Sequence, residues 1–203
     1  MELATPSSSR CSISVQEYFR LAEASPTKLE YKAGQIIDMA GASYVHTQIA
    51  ADLMGELRNR LKRGPCRATG SDTRVRVAHD RYCYPDITVV CGEPEFDPLN
   101  PGQTIINPKV VFEVLSPTTE IDDRGEKFFR YIRLPSLREY FLVAQTKLRI
   151  ESFVRMADGS WSVGAVEEGL DAALRIQSLE IEVPLKEIYA NVKFEPEPTG
   201  QGH

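Results

Sequence analysis

Val110-Val111-Phe112-Glu113-Val114-Leu115-Ser116-Pro117 is the stretch on which the fold turns. Apolar residues surround a single carboxylate, and Ser116-Pro117 closes the run as a turn. A run this continuous, with no polar alternation, marks a strand covered on both faces, as in the centre of an α/β sheet. Glu113 breaks the pattern. A carboxylate in such a strand must be paired, protonated or bound to a cation, because burying it bare is costly.

A second apolar run, Ile87-Thr88-Val89-Val90, follows Pro85-Asp86. Asp86 lies 27 positions before Glu113, which leaves room for a connection and a neighbouring strand. If the two strands are adjacent, the carboxylates converge, and two hard oxygen ligands with water suit Mg²⁺. Beyond Glu113, Thr119 and Asp122 make a capping-box-like start to a helix over about 122–134, stopped by Pro135. Phe128, Phe129 and Ile132 form its apolar face, while Asp123, Lys127 and Tyr131, spaced by four, line another. A lysine beside a reacting phosphate orients the attacking water or offsets charge in the transition state. Each part also has an ordinary reading: Asp86 capping a turn, Glu113 paired with an arginine, Lys127 solvated. Their order along the chain is what joins them.

The flanks supply the rest of one α/β domain over 14–192, with a mixed, partly hairpin-built sheet. Ser14 caps a helix over 14–24, and strands over 29–31 and 35–39 flank Lys32-Ala33-Gly34 as a hairpin. Val45, Ile49, Leu53, Leu57 and Leu61 mark a helix of about five turns over 43–62, ended by Gly64-Pro65. Further strands are expected over 73–77, 140–143, 148–154, 161–166 and 174–181, and a last helix over 185–192. Residues 1–13 read as a loose arm and 193–203 as a tail.

The 203 residues are 42% hydrophobic and 26% charged, which excludes a disordered, collagen-like or fibrous chain. No window reaches ~18 uninterrupted apolar residues, and the first residues lack the pattern of a secretory signal, so no membrane partner and a cytoplasmic location are expected. Cys11, Cys66, Cys83 and Cys91 form no CxxC pair and no zinc spacing; reduced thiols are expected. The formal net charge is −5, yet Arg58, Arg60, Lys62, Arg63, Arg67, Arg74 and Arg76 face only Asp72 within their stretch. A phosphate backbone responds to such a local patch, which makes Arg58, Arg60, Lys62, Arg63, Arg74 and Arg76 candidate DNA contacts. The competing reading is a solvated helix end and hairpin.

Together, Pro85-Asp86, Phe112-Glu113-Val114-Leu115-Ser116-Pro117, Asp123-Arg124-Gly125-Glu126-Lys127 with Tyr131, and Glu139-Tyr140-Phe141-Leu142-Val143 resemble the Uma family. The segment from Leu29-Glu30-Tyr31 through Gly34 to Met39, with Ser43 and His46, fits as well. These are restriction-endonuclease-like proteins of the PD-(D/E)XK nuclease superfamily, and the likeness covers roughly 14–192. It implies an α/β, restriction-endonuclease-like fold, a mixed β-sheet flanked by helices. It also implies hydrolysis of DNA phosphodiester bonds with Mg²⁺, or Mn²⁺ as substitute. Asp86 and Glu113 would be the metal ligands and, with Lys127, the catalytic residues. Leu115 stands where the superfamily motif has lysine, and Lys127 is its substitute. Ala144-Gln145 replaces an Asp-Pro that relatives often carry. Glu30 is an auxiliary candidate for the metal site or an exposed hairpin residue; His46 is a catalytic auxiliary or a hydrogen-bonding core histidine. Cleaving both strands takes two sites, hence a homodimer. Two other functions compete: a catalytically weak nuclease-fold module that binds nucleic acid or a protein partner, and a metal-dependent hydrolase of a small phosphate ester.

Overall fold

The computed structural model describes residues 12–39, 41–117 and 119–194. It begins with α1 (Val15–Ala24), the hairpin β1 (Leu29–Lys32) and β2 (Gln35–Asp38), α2 (Tyr44–Leu61), β3 (Cys66–Gly70), β4 (Arg74–Ala78), β5 (Arg81–Cys83), β6 (Ile87–Cys91) and β7 (Thr104–Ile105). It continues with β8 (Val110–Val114), α3 (Glu120–Arg124), α4 (Glu126–Tyr131), β9 (Glu139–Val143), β10 (Arg149–Arg155) and β11 (Trp161–Glu168). The last elements are β12 (Ala173–Ile176), β13 (Ile181–Pro184) and α5 (Leu185–Ile188). The expected arm and tail fall largely on residues 1–11 and 195–203, outside the described ones. Ile13 is fastened: its N–H donates to Gly34 O at 2.9 Å and its carbonyl accepts the Tyr31 hydroxyl at 2.7 Å.

The main sheet has six strands in the order β11-β10-β9-β8-β6-β3. β8 and β9 run parallel, and the other neighbours are antiparallel. Every residue of β8 is buried, because both faces are covered. Successive strand residues point to opposite faces. Val110, Phe112 and Val114 join Ile49, Leu53 and Leu57 of α2 in one core, where Phe112 stacks on Phe141 at 4.7 Å. Val111 and Leu115 belong to a second core with Tyr131, Tyr140 and Leu142 and with Val75, Val77 and Cys83. Those last three come from a five-stranded sheet ordered β2-β1-β5-β4-β7. By alternation Glu113 shares the Val111 face, and so points into the seam between the main sheet, α4 and the second sheet.

Several expectations need correction. The helix expected over 122–134 is two short helices, because Gly125 at φ −107°, ψ −111° interrupts it. A Cβ there would stand 2.7 Å from the Ile121 carbonyl oxygen, so a residue without one is required. Thr119 makes no side-chain cap and the helix begins at Glu120, so the capping box does not form. The break turns the polar stripe inward: Asp123, Lys127 and Tyr131 are buried, whereas Phe129 is 59% exposed. The strand expected over 174–181 is the hairpin of β12 and β13 with a 3₁₀ turn between them. Cys66 and Cys91 stand opposite each other in the β3–β6 register and form a disulfide, against the expectation of reduced thiols; Cys83 is free and buried. Among the described residues no helix is long and apolar enough to cross a membrane.

A second glutamate is sunk in the sheet. Glu139 is fully buried at the start of β9, and its two oxygens accept the backbone N–H groups of Gln177 and Ser178, each at 2.9 Å. It ties the main sheet to the β12–β13 hairpin. Glu139→Ala is expected to lower the unfolding free energy by about 2–4 kcal/mol in urea titrations, because both donors lose a charged acceptor. A loss below ~0.5 kcal/mol would mean that those N–H groups find other partners.

Candidate active site

Ile87 pairs with Phe112, so continuing the antiparallel register by one residue sets Asp86 opposite Glu113. Asp86 Oδ2 accepts the Val114 N–H at 2.7 Å, which fixes the carboxylate against β8. Its Oδ1 lies 2.9 Å from His46 Nε2. His46 stands in the first turn of α2, where Ser43 caps the helix by accepting the His46 N–H. Its Nδ1 is buried without a partner.

Glu113 and Lys127 meet at the bottom of the seam. Lys127 Nζ is 2.7 Å from Glu113 Oε1 and 3.1 Å from Asp123 Oδ1. The first contact is ionic: Oε1 is buried without a partner in hydrogen-bond geometry. The Tyr140 hydroxyl donates to the Asp123 carbonyl at 2.9 Å, holding α3 to the sheet. Burial pushes the Glu113 carboxyl well above the usual range; Lys127 opposes this, while Asp123 and Asp86 add to it. Burial also disfavours charge on Lys127, but Glu113, Asp123 and Glu30 outweigh it and hold the ammonium well above the ordinary lysine value. Lys127 is 6% exposed, so it does not lie at a wet helix edge as a solvated residue would.

Glu30 joins the same seam and is not an exposed hairpin residue. It is buried on β1, and its Oε1 accepts the Tyr84 N–H at 3.0 Å. Arg81 Nη2 lies 3.9 Å from Glu30 Oε2 and donates to Asp122 Oδ2 at 2.7 Å. Arg81 carries no signal in the sequence, since β5 is three residues long and shows no periodicity. Asp123 does carry one, its spacing of four from Lys127. Three carboxylates, Glu30, Glu113 and Asp123, thus surround two buried cations, Lys127 and Arg81, and Asp86 stands beside Glu113. Among the described residues no three His, Cys, Asp or Glu side chains form a metal cage. Mg²⁺ needs no such cage, since it is held by one or two carboxylates and keeps its waters. Asp86 and Glu113 are the pair that could hold it: they face each other across the sheet, and the local charge is negative.

The basic run splits. Arg74 is buried, with its guanidinium 4.9 Å from the Phe19 ring and bonds to Thr104 and Asn100. Arg76 pairs with Asp97 at 2.9 Å, and Arg60 with Glu56 and the Glu182 carbonyl. Arg74 thus serves the fold rather than a DNA surface, and Arg60 and Arg76 are half-buried and already paired. Arg58, Lys62 and Arg63 are exposed. They sit at or just beyond the end of α2 remote from His46, about 18–24 Å away for Arg58 and Lys62 at 1.5 Å per helical residue.

The seam's charge balance is testable through stability. Lys127→Met leaves Glu113 and Asp123 uncompensated and is expected to cost about 3–5 kcal/mol in urea unfolding. Glu113→Gln removes a like charge and is expected to cost under about 1.5 kcal/mol. Equal losses in the two variants would contradict the excess of negative charge.

Residues 15–185 match the Uma2 family model, described as "Putative restriction endonuclease". The chain is 33% identical over 193 residues to the uncharacterized protein slr1290 of Synechocystis sp., covering 94% of this chain and 98% of that one. With the uncharacterized protein sll1609 of the same organism it shares 32% over 150 residues, 73% of this chain and 84% of that one. It superposes with a TM-score of 0.71 at 17% identity on the crystal structure of a "putative nuclease belonging to DUF820" from Anabaena variabilis, over 88% of this chain and 98% of that one. At that identity the likeness shows the fold, which is α/β and restriction-endonuclease-like, with mixed sheets flanked by helices. The matched span runs from α1 to the first residue of α5 and contains the whole seam, and on that span the chain belongs to the Uma2 family of restriction-endonuclease-like proteins.

Proposed function

We propose that the chain hydrolyses DNA phosphodiester bonds at the Asp86, Glu113 and Lys127 site, with Mg²⁺ or Mn²⁺ as cofactor. One observation carries this reading: the Lys127 ammonium, delivered by α4, stands 2.7 Å from Glu113, whose neighbour across the sheet is Asp86. Leu115 is buried in the second core, so the lysine reaches the carboxylate from the helix instead. A cation suits this place because carboxylates outnumber cations around Glu113. Held by Asp86 and Glu113, it would supply Lewis-acid stabilisation of charge on the phosphoryl oxygens.

The chain's own residues do the rest. His46 and the Val114 N–H fix the two oxygens of Asp86. Asp123 holds Lys127 in place, and the ammonium orients the attacking water and offsets charge at the scissile phosphate. The water oxygen bonds to phosphorus as the bond to the leaving sugar oxygen breaks; the water's proton passes to solvent and the leaving oxygen gains one. On duplex DNA a homodimer supplies the second site.

One observation favours the competing reading, a catalytically weak module that binds nucleic acid or a protein. Cations around the seam are already paired: Lys32 with Asp122 and Glu126, Arg130 with Asp80 and Glu126. Incubation with plasmid and single-stranded DNA in Mg²⁺, Mn²⁺ or EDTA decides between them. Cleavage is expected with either ion and not in EDTA. Asp86→Ala should lose both cleavage and the Mg²⁺ binding heat. Lys127→Met should cleave at least about 10²-fold more slowly while binding Mg²⁺, and Lys127→Arg, which keeps the charge, controls for folding. DNA binding without cleavage under all conditions would leave the module.

A further inference from the structure

A cleft of about 450 Å³ opens beyond the end of β8. It is lined by Ser116 and Pro117, by Arg124 of α3, and by Lys147, Arg149 and Glu151 from the β9–β10 turn and β10. The lining includes Leu115, two residues beyond Glu113, or about 6.6 Å at the rise of an extended strand. Successive phosphates on one nucleic-acid strand rise about 3.4 Å in a stacked helix. A strand whose phosphate lies at Glu113 and Lys127 therefore carries its next one or two nucleotides into the cleft.

The cleft, unlike the seam, exposes cationic donors. Three cations, Arg124, Lys147 and Arg149, line it against two carboxylates, Glu120 and Glu151. Glu151 is shared: Arg124 donates to it through Nη1 and Nη2 at 2.8 Å each, and Arg149 through Nε at 3.2 Å, while Arg149 Nη1 also pairs with Glu168. Arg124 Nε also donates to Glu120 at 2.7 Å. The two guanidinium forks are thus held in place by carboxylates, and each has five N–H groups, more than these bonds use. Lys147 is exposed and has no ion-pair partner among the described residues. Gln145, also in the lining, accepts the Ser43 hydroxyl through Oε1 at 2.8 Å, which leaves its amide N–H groups as donors. An acidic seam beside a cleft whose Lys147 ammonium and spare guanidinium and amide N–H groups are free to donate is the pattern that a phosphodiester strand requires.

We propose that this cleft is a phosphate-binding subsite that seats the DNA strand one to two nucleotides from the scissile phosphate, with Lys147 and the forks of Arg124 and Arg149 as its donors. The proposal rests on the nuclease reading for the position of the scissile phosphate. Its test is fluorescence anisotropy of a labelled single-stranded oligonucleotide in EDTA, between about 50 and 200 mM salt. Lys147→Glu, at an exposed position, is expected to weaken binding about tenfold. It should also flatten the slope of log affinity against log salt by about 0.7, the value for one phosphate that is no longer neutralised. Arg138→Glu, an exposed position before β9 and so at the other end of that strand from the cleft, is expected to change affinity less than about threefold. Unchanged affinity and slope in Lys147→Glu, or an equal loss in Arg138→Glu, overturns the subsite, even if Asp86-dependent cleavage is intact. Selective loss in Lys147→Glu upholds the subsite, and if the wild type then fails to cleave with Mg²⁺ or Mn²⁺, it is the nuclease reading that falls.

Discussion

The seam is organised by a buried charge that cannot stand by itself. Lys127 must reach Glu113 with almost no water present, and each neighbouring element serves that meeting. β8 brings Glu113 inward on the Val111 face, and Gly125 lets α4 turn its polar stripe to the sheet. Asp123 supplies the second carboxylate, and Tyr140 fastens its backbone. An apolar pair of the same volume would fold as well or better, since desolvating two ions offsets most of their attraction. Keeping charge at this position makes sense for chemistry, not for stability.

Two glutamates in adjacent parallel strands show how differently one residue type can be used. Glu139 accepts two backbone N–H groups, so its charge is satisfied by fixed dipoles. Glu113 has a mobile-stemmed ammonium on one side and two other carboxylates close by. The first arrangement is closed. The second retains an excess of negative charge, and so has something left to offer a cation.

Much of this is legible in the sequence because it rests on period and on one violation of period. The unbroken apolar runs mark β6 and β8, the spacing of four marks α2, and a carboxylate inside an apolar run marks Glu113. Asp86 opposite Glu113 follows once the two strands are neighbours. What escapes depends on contacts between distant segments. Arg81 lies on a three-residue strand, and Arg74 and Arg76 look like surface charge until Phe19 and Asp97 are seen beside them. The inward face of α4 cannot be found from its apolar residues, since the close approach at Gly125 rotates the helix. The disulfide is equally hidden, because only the β3–β6 register brings Cys66 to Cys91.

The parallel pairing of β8 with β9 has a consequence for how the chain folds. Parallel neighbours cannot be joined by a tight hairpin; they need a long crossover. Here that crossover is the segment carrying α3 and α4, so the residues facing Glu113 ride on the very connection that the sheet requires. Closing it brings together residues as far apart in sequence as Val110 and Glu139, an entropic loss that local contacts do not offset. The seam therefore has no existence in a half-folded chain. Lys127 meets Glu113 only as the two central strands dock, and burial of the charges is kinetically tied to closure of the sheet.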